Sequence, residues 1–218
     1  MCRLLTVISK KKIDISYFLE NFANICERSL TPDGDRQKDG WGIITTKQFY
    51  KSINPIWEEK YLFKNFLDDK LLIAHSRSAH NSKNEIEFNQ PFFDDSLIFI
   101  FNGLLRGVKI NISGKIGSQK LFNLIKQLHN KDINNYWENF YQIIVKKTKL
   151  IIGMNVILID LNLKKLNLIS IFSQNEDYFS LRLYQDNEII LICSEEILNF
   201  NFQKLSSNTL ITIDFEKL

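Results

Sequence analysis

Met1-Cys2-Arg3-Leu4-Leu5-Thr6-Val7-Ile8-Ser9 is a nearly unbroken apolar run with a cysteine at its head, halted by Lys10-Lys11-Lys12. A short run of this kind, bounded by charge, predicts a buried strand over residues 2–9. Removal of Met1 would leave Cys2 carrying a thiol and a free α-amine on one carbon skeleton. A thiolate is the nucleophile, and an adjacent amine can take the thiol proton without a histidine partner. Free thiols titrate near about 8.5 and α-amines near about 7.7–8.0, close enough for proton exchange at neutral pH. The plain alternative is a small apolar residue on a buried first strand. The stretch itself leaves both open.

Outward from this strand, residues 14–28 switch to helical spacing, with Ile15, Phe18, Leu19, Phe22 and Ile25 on one face. Residues 31–36 form a turn-rich loop, and strand character resumes at 41–46 and at 71–77. Residues 81–90 read as a polar loop. Leu97-Ile98-Phe99-Ile100-Phe101 is strongly β-like and is predicted to stop at Asn102-Gly103. Two helices follow over 117–128 and 133–148, then strands over 155–161, 166–172, 178–184, 189–194 and 209–213. Strands clustered apart from helices, joined by hairpin-length links, predict an α+β fold with antiparallel sheets and helices in segregated layers. No linker, repeat or low-complexity tract divides the chain, so one domain over 1–218 is expected.

Of the residues, 44% are hydrophobic and 24% charged, ordinary globular values that argue against disorder. A net charge of +3 with scattered lysines supplies no basic stripe, so no nucleic-acid partner is expected. Cys2, Cys26 and Cys193 have neither metal-site nor disulfide spacing, and their odd number fits a reducing compartment. No apolar run reaches the roughly 20 residues that span a bilayer, and the apolar segment at the N-terminus is too short for a signal peptide. The expectation is a cytoplasmic protein with no membrane partner; its oligomeric state is not legible.

Polar residues at the ends of apolar strands are where sites are usually built. Lys38-Asp39-Gly40-Trp41-Gly42-Ile43 enters one strand, and Ala74-His75-Ser76-Arg77-Ser78-Ala79-His80 leaves another. Asn89-Gln90-Pro91-Phe92 and Asn102-Gly103 flank the strand at 97–101. Each has an ordinary reading: an Asp-Gly turn, a surface ion pair for Arg77, a Pro turn, and a type I′ hairpin at Asn-Gly. His75 and His80 lack a third ligand at metal-site spacing, so no metal is expected, and a Cys2–His75 dyad stays open. Taken together the segments supply complementary parts. An Asn carboxamide and the next Gly N–H can form an oxyanion hole, and Arg77 offers a planar fork for a carboxylate. The implied substrate bears a carboxylate at one end and an amide or other acyl carbon at the other.

In this order, Met1-Cys2-Arg3-Leu4-Leu5, Asp39-Gly40-Trp41-Gly42, His75-Ser76-Arg77-Ser78-Ala79, Gln90-Pro91-Phe92, Asn102-Gly103 and Ser194-Glu195 resemble the class II glutamine amidotransferases. These are N-terminal nucleophile (Ntn) hydrolases with a four-layer αββα sandwich of two mainly antiparallel sheets. The likeness is greatest to their short stand-alone branch, which hydrolyses glutamine-like or γ-glutamyl amides without a fused synthase domain. The resemblance implies Cys2 as nucleophile, Asn102 and Gly103 as oxyanion hole, and Arg77 on the substrate α-carboxylate. It also implies a substrate pocket completed by Trp41, Gly42, His75, Ser118 and Gln119, with Ser194-Glu195 in support. The substrate would be a small-molecule amide, with no cofactor, and ammonia would pass to a partner synthase or second subunit where it is not released.

Two departures from the family pattern stand out. Phe101 replaces the usual His before Asn-Gly. The acidic residue that opens the following helix, and that pairs with the α-ammonium of glutamine, is replaced by Gly117 in Ile116-Gly117-Ser118-Gln119. Losing a charge-assisted hydrogen bond costs roughly 1.5–3 kcal/mol, about tenfold to a hundredfold in affinity. Gln119 can accept one hydrogen bond but brings no charge. Acyl-transfer parts are retained, whereas recognition of free glutamine is weakened. Residues 33–39 are a candidate lid.

Overall fold

A computed structural model describes residues 1–79 and 83–218. His80 and the start of the loop at 81–90 therefore lie outside the described residues.

The first strand, β1 (Arg3–Ile13), alternates strictly: Leu4 and Ile8 face one layer, Leu5 and Val7 the other. Helix α1 (Ile15–Arg28) begins where the Asp14 carboxylate caps the Tyr17 N–H at 3.0 Å. Its apolar stripe packs on Leu5 and Val7. A hairpin, β2 (Trp41–Ile44) and β3 (Phe49–Ser52), leads through a kinked 3-10 segment (Ile56–Asn65) to β4 (Asp69–Ser76). Next come β5 (Phe92–Phe93) and the long β6 (Leu97–Val108). Helices α2 (Gly117–Lys131) and α3 (Tyr136–Lys147) run directly into β7 (Thr148–Asp160), which turns back as β8 (Lys165–Phe172). The short α4 (Glu176–Phe179), β9 (Arg182–Gln185), β10 (Ile189–Cys193), β11 (Gln203–Lys204) and β12 (Thr209–Asp214) complete the chain.

Among the described residues these strands form a seven-stranded sheet, β11-β9-β10-β1-β4-β2-β3, and a five-stranded sheet, β12-β8-β7-β6-β5. Their pairings are antiparallel, as in β1 with β10 and β4, and in β6 with β7. The sheets bury Leu4, Ile8, Ile73, Ile100, Ile157 and Leu168 between them. On the outside, α1 and the 3-10 segment cover the first sheet, and α2 and α3 cover the second through Leu121, Phe122, Ile125 and Phe140. The layer order is α, β, β, α, the expected sandwich.

Two expectations about local structure are corrected. Asn102-Gly103 is no hairpin turn: β6 runs through it to Val108, with Asn102 opposite Asn155 and Gly103 opposite Met154. The predicted strand over 178–184 begins instead as α4, entered through Asn175 at φ 53°, with Phe179 buried in a small cluster. Among the described residues no helix is long and apolar enough to cross a membrane.

Candidate active site

A charged residue at the head of a buried strand needs partners, and Arg3 has several. Its Nε donates to Ser29 Oγ at 2.8 Å and its Nη1 to the Tyr178 carbonyl at 3.1 Å. Nη2 pairs with Glu195 at 2.5 Å, and the guanidinium lies 3.9 Å over the Tyr178 ring. The next residue is pinned as well, the Leu4 N–H donating to Ser194 Oγ at 2.9 Å. The Tyr178 hydroxyl donates to the Cys2 carbonyl at 3.1 Å. Ser194 and Glu195 thus fix the strand that carries Cys2.

Cys2 is half-buried, and its N–H donates to Asn102 Oδ1 at 2.8 Å. Asn102 is fully buried, and its Nδ2 has no hydrogen-bond partner among the described residues. An unsatisfied buried donor costs about 1–3 kcal/mol, so such groups concentrate where a ligand or intermediate supplies the partner. The opposing Asn155 is saturated by contrast, donating to the Phe179 carbonyl at 2.7 Å and accepting from Ser170 Oγ at 2.8 Å. At Gly103 a Cβ would fall 2.4 Å from the Gly153 carbonyl, so only glycine lets β7 approach this closely.

The peptide before Asn102 is clamped by a side chain. Gln90 Oε1 accepts from the Phe101 N–H at 2.6 Å, while its Nε2 donates to the Phe101 carbonyl at 3.1 Å. His75 Nε2 reaches the same carbonyl at 3.3 Å, bridging the two sheets. Burial, and then the charge of Arg77, push the His75 pKa down from 6.5 to about 3, so the ring is neutral and Nε2–H donates.

A cavity of about 860 Å³ opens beside these residues, and Cys2, Arg77, Gln90, Gly103 and Ser118 line it. Arg77 sits at the end of β4, where its N–H donates to Gly40 O at 2.8 Å and its carbonyl accepts from Asp39 N at 2.9 Å. The Asp39 carboxylate in turn accepts from Ala79 N–H at 2.7 Å. The buried guanidinium donates to the Lys83 carbonyl at 3.1 Å and lies 5.6 Å from the Phe88 ring. Burial lowers the Arg77 pKa from its usual value, opposed by the charges of Cys2 and Asp39. Of the chain's cysteines only Cys2 reaches the cavity. Cys26 is buried, its pKa pushed up to about 12 by desolvation, and the same cause raises Cys193.

Cys2, Arg77, Asn102 and Gly103 are thus brought together, and Ser118 lines the same cavity. The other residues expected in the pocket are placed elsewhere. Trp41 belongs to the core under α1, its indole N–H donating to Glu59 at 2.7 Å and its ring packed on Phe63. Gly42 stands behind Gln90, where a Cβ would fall 2.3 Å from the Gln90 carbonyl. His75 is sealed between the sheets. Gln119 accepts from the Lys115 N–H at 2.9 Å at the start of α2, and its side chain borders a separate small hollow with Lys51 and Phe122. Gly117, the first residue of α2, lines the cavity with nothing within 4 Å of an added Cβ.

Two positioning residues escaped the sequence reading. Gln90 was visible only as part of a motif, although a Gln held between two strand segments was its available signal. Arg3 was visible as a lone cation in an apolar run.

Two antiparallel sheets faced by helices, with a cysteine heading a central strand, make this the αββα fold of the Ntn hydrolases. Over 99% of its length the chain is similar to glutamine phosphoribosylpyrophosphate amidotransferase from B. subtilis, with a TM-score of 0.68 and 14% identity. It spans 48% of that protein, about half its length. It is also similar to a glutamine aminotransferase class-II domain protein from Silicibacter pomeroyi, with a TM-score of 0.63 and 14% identity. There the likeness covers 99% of this chain and 96% of the other. At this identity the likeness is one of fold. No family model matches the sequence, and no curated protein matches it.

Proposed function

We propose that the protein is an Ntn-type amidohydrolase acting on glutamine, γ-glutamyl or related carboxylate-bearing amides, with Cys2 as nucleophile once Met1 is removed. One observation carries the reading: the nitrogen of Cys2 is hydrogen-bonded to a buried Asn102 whose own Nδ2 has no partner among the described residues. In the free α-amine form, that nitrogen takes the Sγ proton, and the thiolate attacks the amide carbon. The carbonyl π electrons move onto oxygen, where Asn102 Nδ2–H and the Gly103 N–H receive the negative charge. As the intermediate collapses, the C–N bond breaks, the α-ammonium returns its proton to the departing nitrogen, and ammonia or an amine leaves. Water, deprotonated by the same amine, then attacks the thioester; the C–S bond breaks and a carboxylic acid departs. Arg77 holds the substrate carboxylate, and no cofactor enters. Ammonia is either released or passed to a synthase or second subunit.

Gly117 favours a second reading, a catalytically weak relative retained as a ligand-binding or regulatory subunit, because nothing at that position pairs with an α-ammonium. Ammonia release from glutamine and cleavage of γ-glutamyl peptides by protein lacking Met1 test the first reading. No turnover of either, with no labelling of Cys2 by electrophilic glutamine analogues, leaves the second.

A further inference from the structure

We propose that the amide taken by this site carries an apolar acyl group on its α-nitrogen: the substrate class is an Nα-acyl glutamine, hydrolysed to the Nα-acyl glutamate and ammonia. This rests on the amidohydrolase reading above and concerns the same cavity. Three features converge on it.

The first is size. About 860 Å³ is the volume of a site for a drug-sized molecule, about 300–1,000 Å³, and far exceeds what one free amino acid fills. The cavity follows β6 from Gly103 to Val108, about 17 Å at 3.3–3.4 Å per residue. The register against β7 shifts between Leu104 and Leu105, with the extra residue, Ile152, on β7, and Ile152 lines the cavity as well.

The second is lining. Beyond Gly103 the walls carry a run of aliphatic side chains, Leu104, Leu105 and Val108 on β6, Ile112 after it, and Leu121 and Leu124 on α2, interspersed with Arg106, Lys115 and Lys120. Leu121 and Leu124 are buried, Leu104, Leu105 and Ile112 half-buried, and Val108 exposed. An alkyl chain laid there leaves water; a charged amino acid has no use for such a wall.

The third is charge. Among the described residues, the ionised side chains on the cavity wall are Arg77, Arg106, Lys120 and Lys115, the last paired with Glu87 at 2.8 Å, against Asp33, which accepts from Thr31 Oγ1 at 2.8 Å. At the mouth of α2, where a carboxylate could meet an α-ammonium, Gly117 offers no side chain, and the first turn of the helix contains no acid. A free α-ammonium therefore meets Lys120 and finds no acid on the first turn of α2. Acylation removes that charge and adds the apolar group for which the aliphatic arm is shaped, while the α-carboxylate keeps Arg77. A γ-glutamyl conjugate bearing its apolar group on the leaving amine would retain the unmatched ammonium.

The experiment compares ammonia release from L-glutamine, Nα-acetyl-L-glutamine and Nα-octanoyl-L-glutamine by protein lacking Met1. In parallel, calorimetry measures binding of L-glutamine and of Nα-octanoyl-L-glutamine to the Cys2→Ala variant. We expect kcat/KM to rise in the order given, with octanoyl at least about a hundredfold over acetyl, since each methylene moved out of water is worth about three- to fourfold. Leu105→Gln brings the octanoyl-to-acetyl ratio toward one, a ratio that partial unfolding does not change. If free glutamine is hydrolysed as well as the octanoyl compound, the ligand class is wrong while the hydrolase reading stands. If no compound is hydrolysed but Cys2→Ala binds Nα-octanoyl-L-glutamine and not L-glutamine, the ligand class stands and the hydrolase reading fails. Neither turnover nor preferential binding overturns both.

Discussion

Asn102→Ala removes two interactions of opposite sign, and their balance can be worked from the geometry. The bond from the Cys2 nitrogen to Oδ1, at 2.8 Å, contributes about 0.5–1.5 kcal/mol net to the folded state. The unpartnered Nδ2 imposes a desolvation penalty of about 1–3 kcal/mol, which truncation relieves. The space left lies beside half-buried Cys2 and among polar groups, where water can enter. At the middle of both ranges the net change is about 1 kcal/mol, equivalent to a Tm shift of about 2–4 °C for a chain of this size. Catalysis has no such compensation. Loss of one oxyanion donor costs about 10²–10³ in kcat, or about 2.7–4 kcal/mol of transition-state stabilisation. The assay pairs steady-state ammonia release with calorimetric unfolding of the same preparation. A kcat within about fivefold of the parent would refute an oxyanion role, since real donors cost far more. So would an activity loss that merely tracks a Tm drop of about 10 °C or more, because Asn102 would then be a structural strut.

Two further outcomes follow from the same geometry. Gly117→Asp adds an acid to the first turn of α2 in open space, so it should raise stability by about 1 kcal/mol through helix propensity and dipole. It should also raise kcat/KM for free glutamine by about tenfold to a hundredfold through the α-ammonium, and an unchanged kcat/KM removes Gly117 from the explanation of substrate choice. For His75, the folded protein binds its proton only near pH 3 while the unfolded chain binds it near 6.5. The unfolded state thus holds more protons between those values, and stability is full above pH 6.5 and falls as pH drops toward 3. The full effect is about 5 kcal/mol, and His75→Gln should flatten the urea-unfolding profile across that window; an identical slope in both proteins contradicts it.

Much of this layout was legible because the chain announces its strands by apolar runs and its sites by the polar residues that end them. The buried stripe of α1, Ile15, Phe18, Leu19, Phe22 and Ile25, follows the spacing in the sequence. Cys2, Arg77, Asn102 and Gly103 lie far apart in the chain, yet each occupies the polar end or interruption of an apolar strand, and the sheets gather them. What stayed illegible depends on partners that sequence periodicity does not encode. Asn-Gly reads as a turn locally, but β7 presents Met154 across from Gly103 and the ladder simply continues. Trp41 beside Gly42 resembles a pocket wall, and only the register of β2 against β4 decides that the indole faces α1 instead. Gln119 looks available for substrate until the N-terminus of α2 uses its oxygen. Gln90 could not be seen as a clamp, because its two bonds require Phe101 to lie alongside it.

The central claim is that Cys2 is an N-terminal nucleophile at this cavity. Its most direct test is the intact mass of the purified protein before and after neutral-pH treatment with a haloacetamide, with the adduct mapped by peptide sequencing. The account predicts a chain lacking Met1 that takes one label, on Cys2, while Cys26 and Cys193, buried and held as thiols, stay unmodified. A chain that retains Met1, or one whose label falls on Cys26 or Cys193 and spares Cys2, contradicts it.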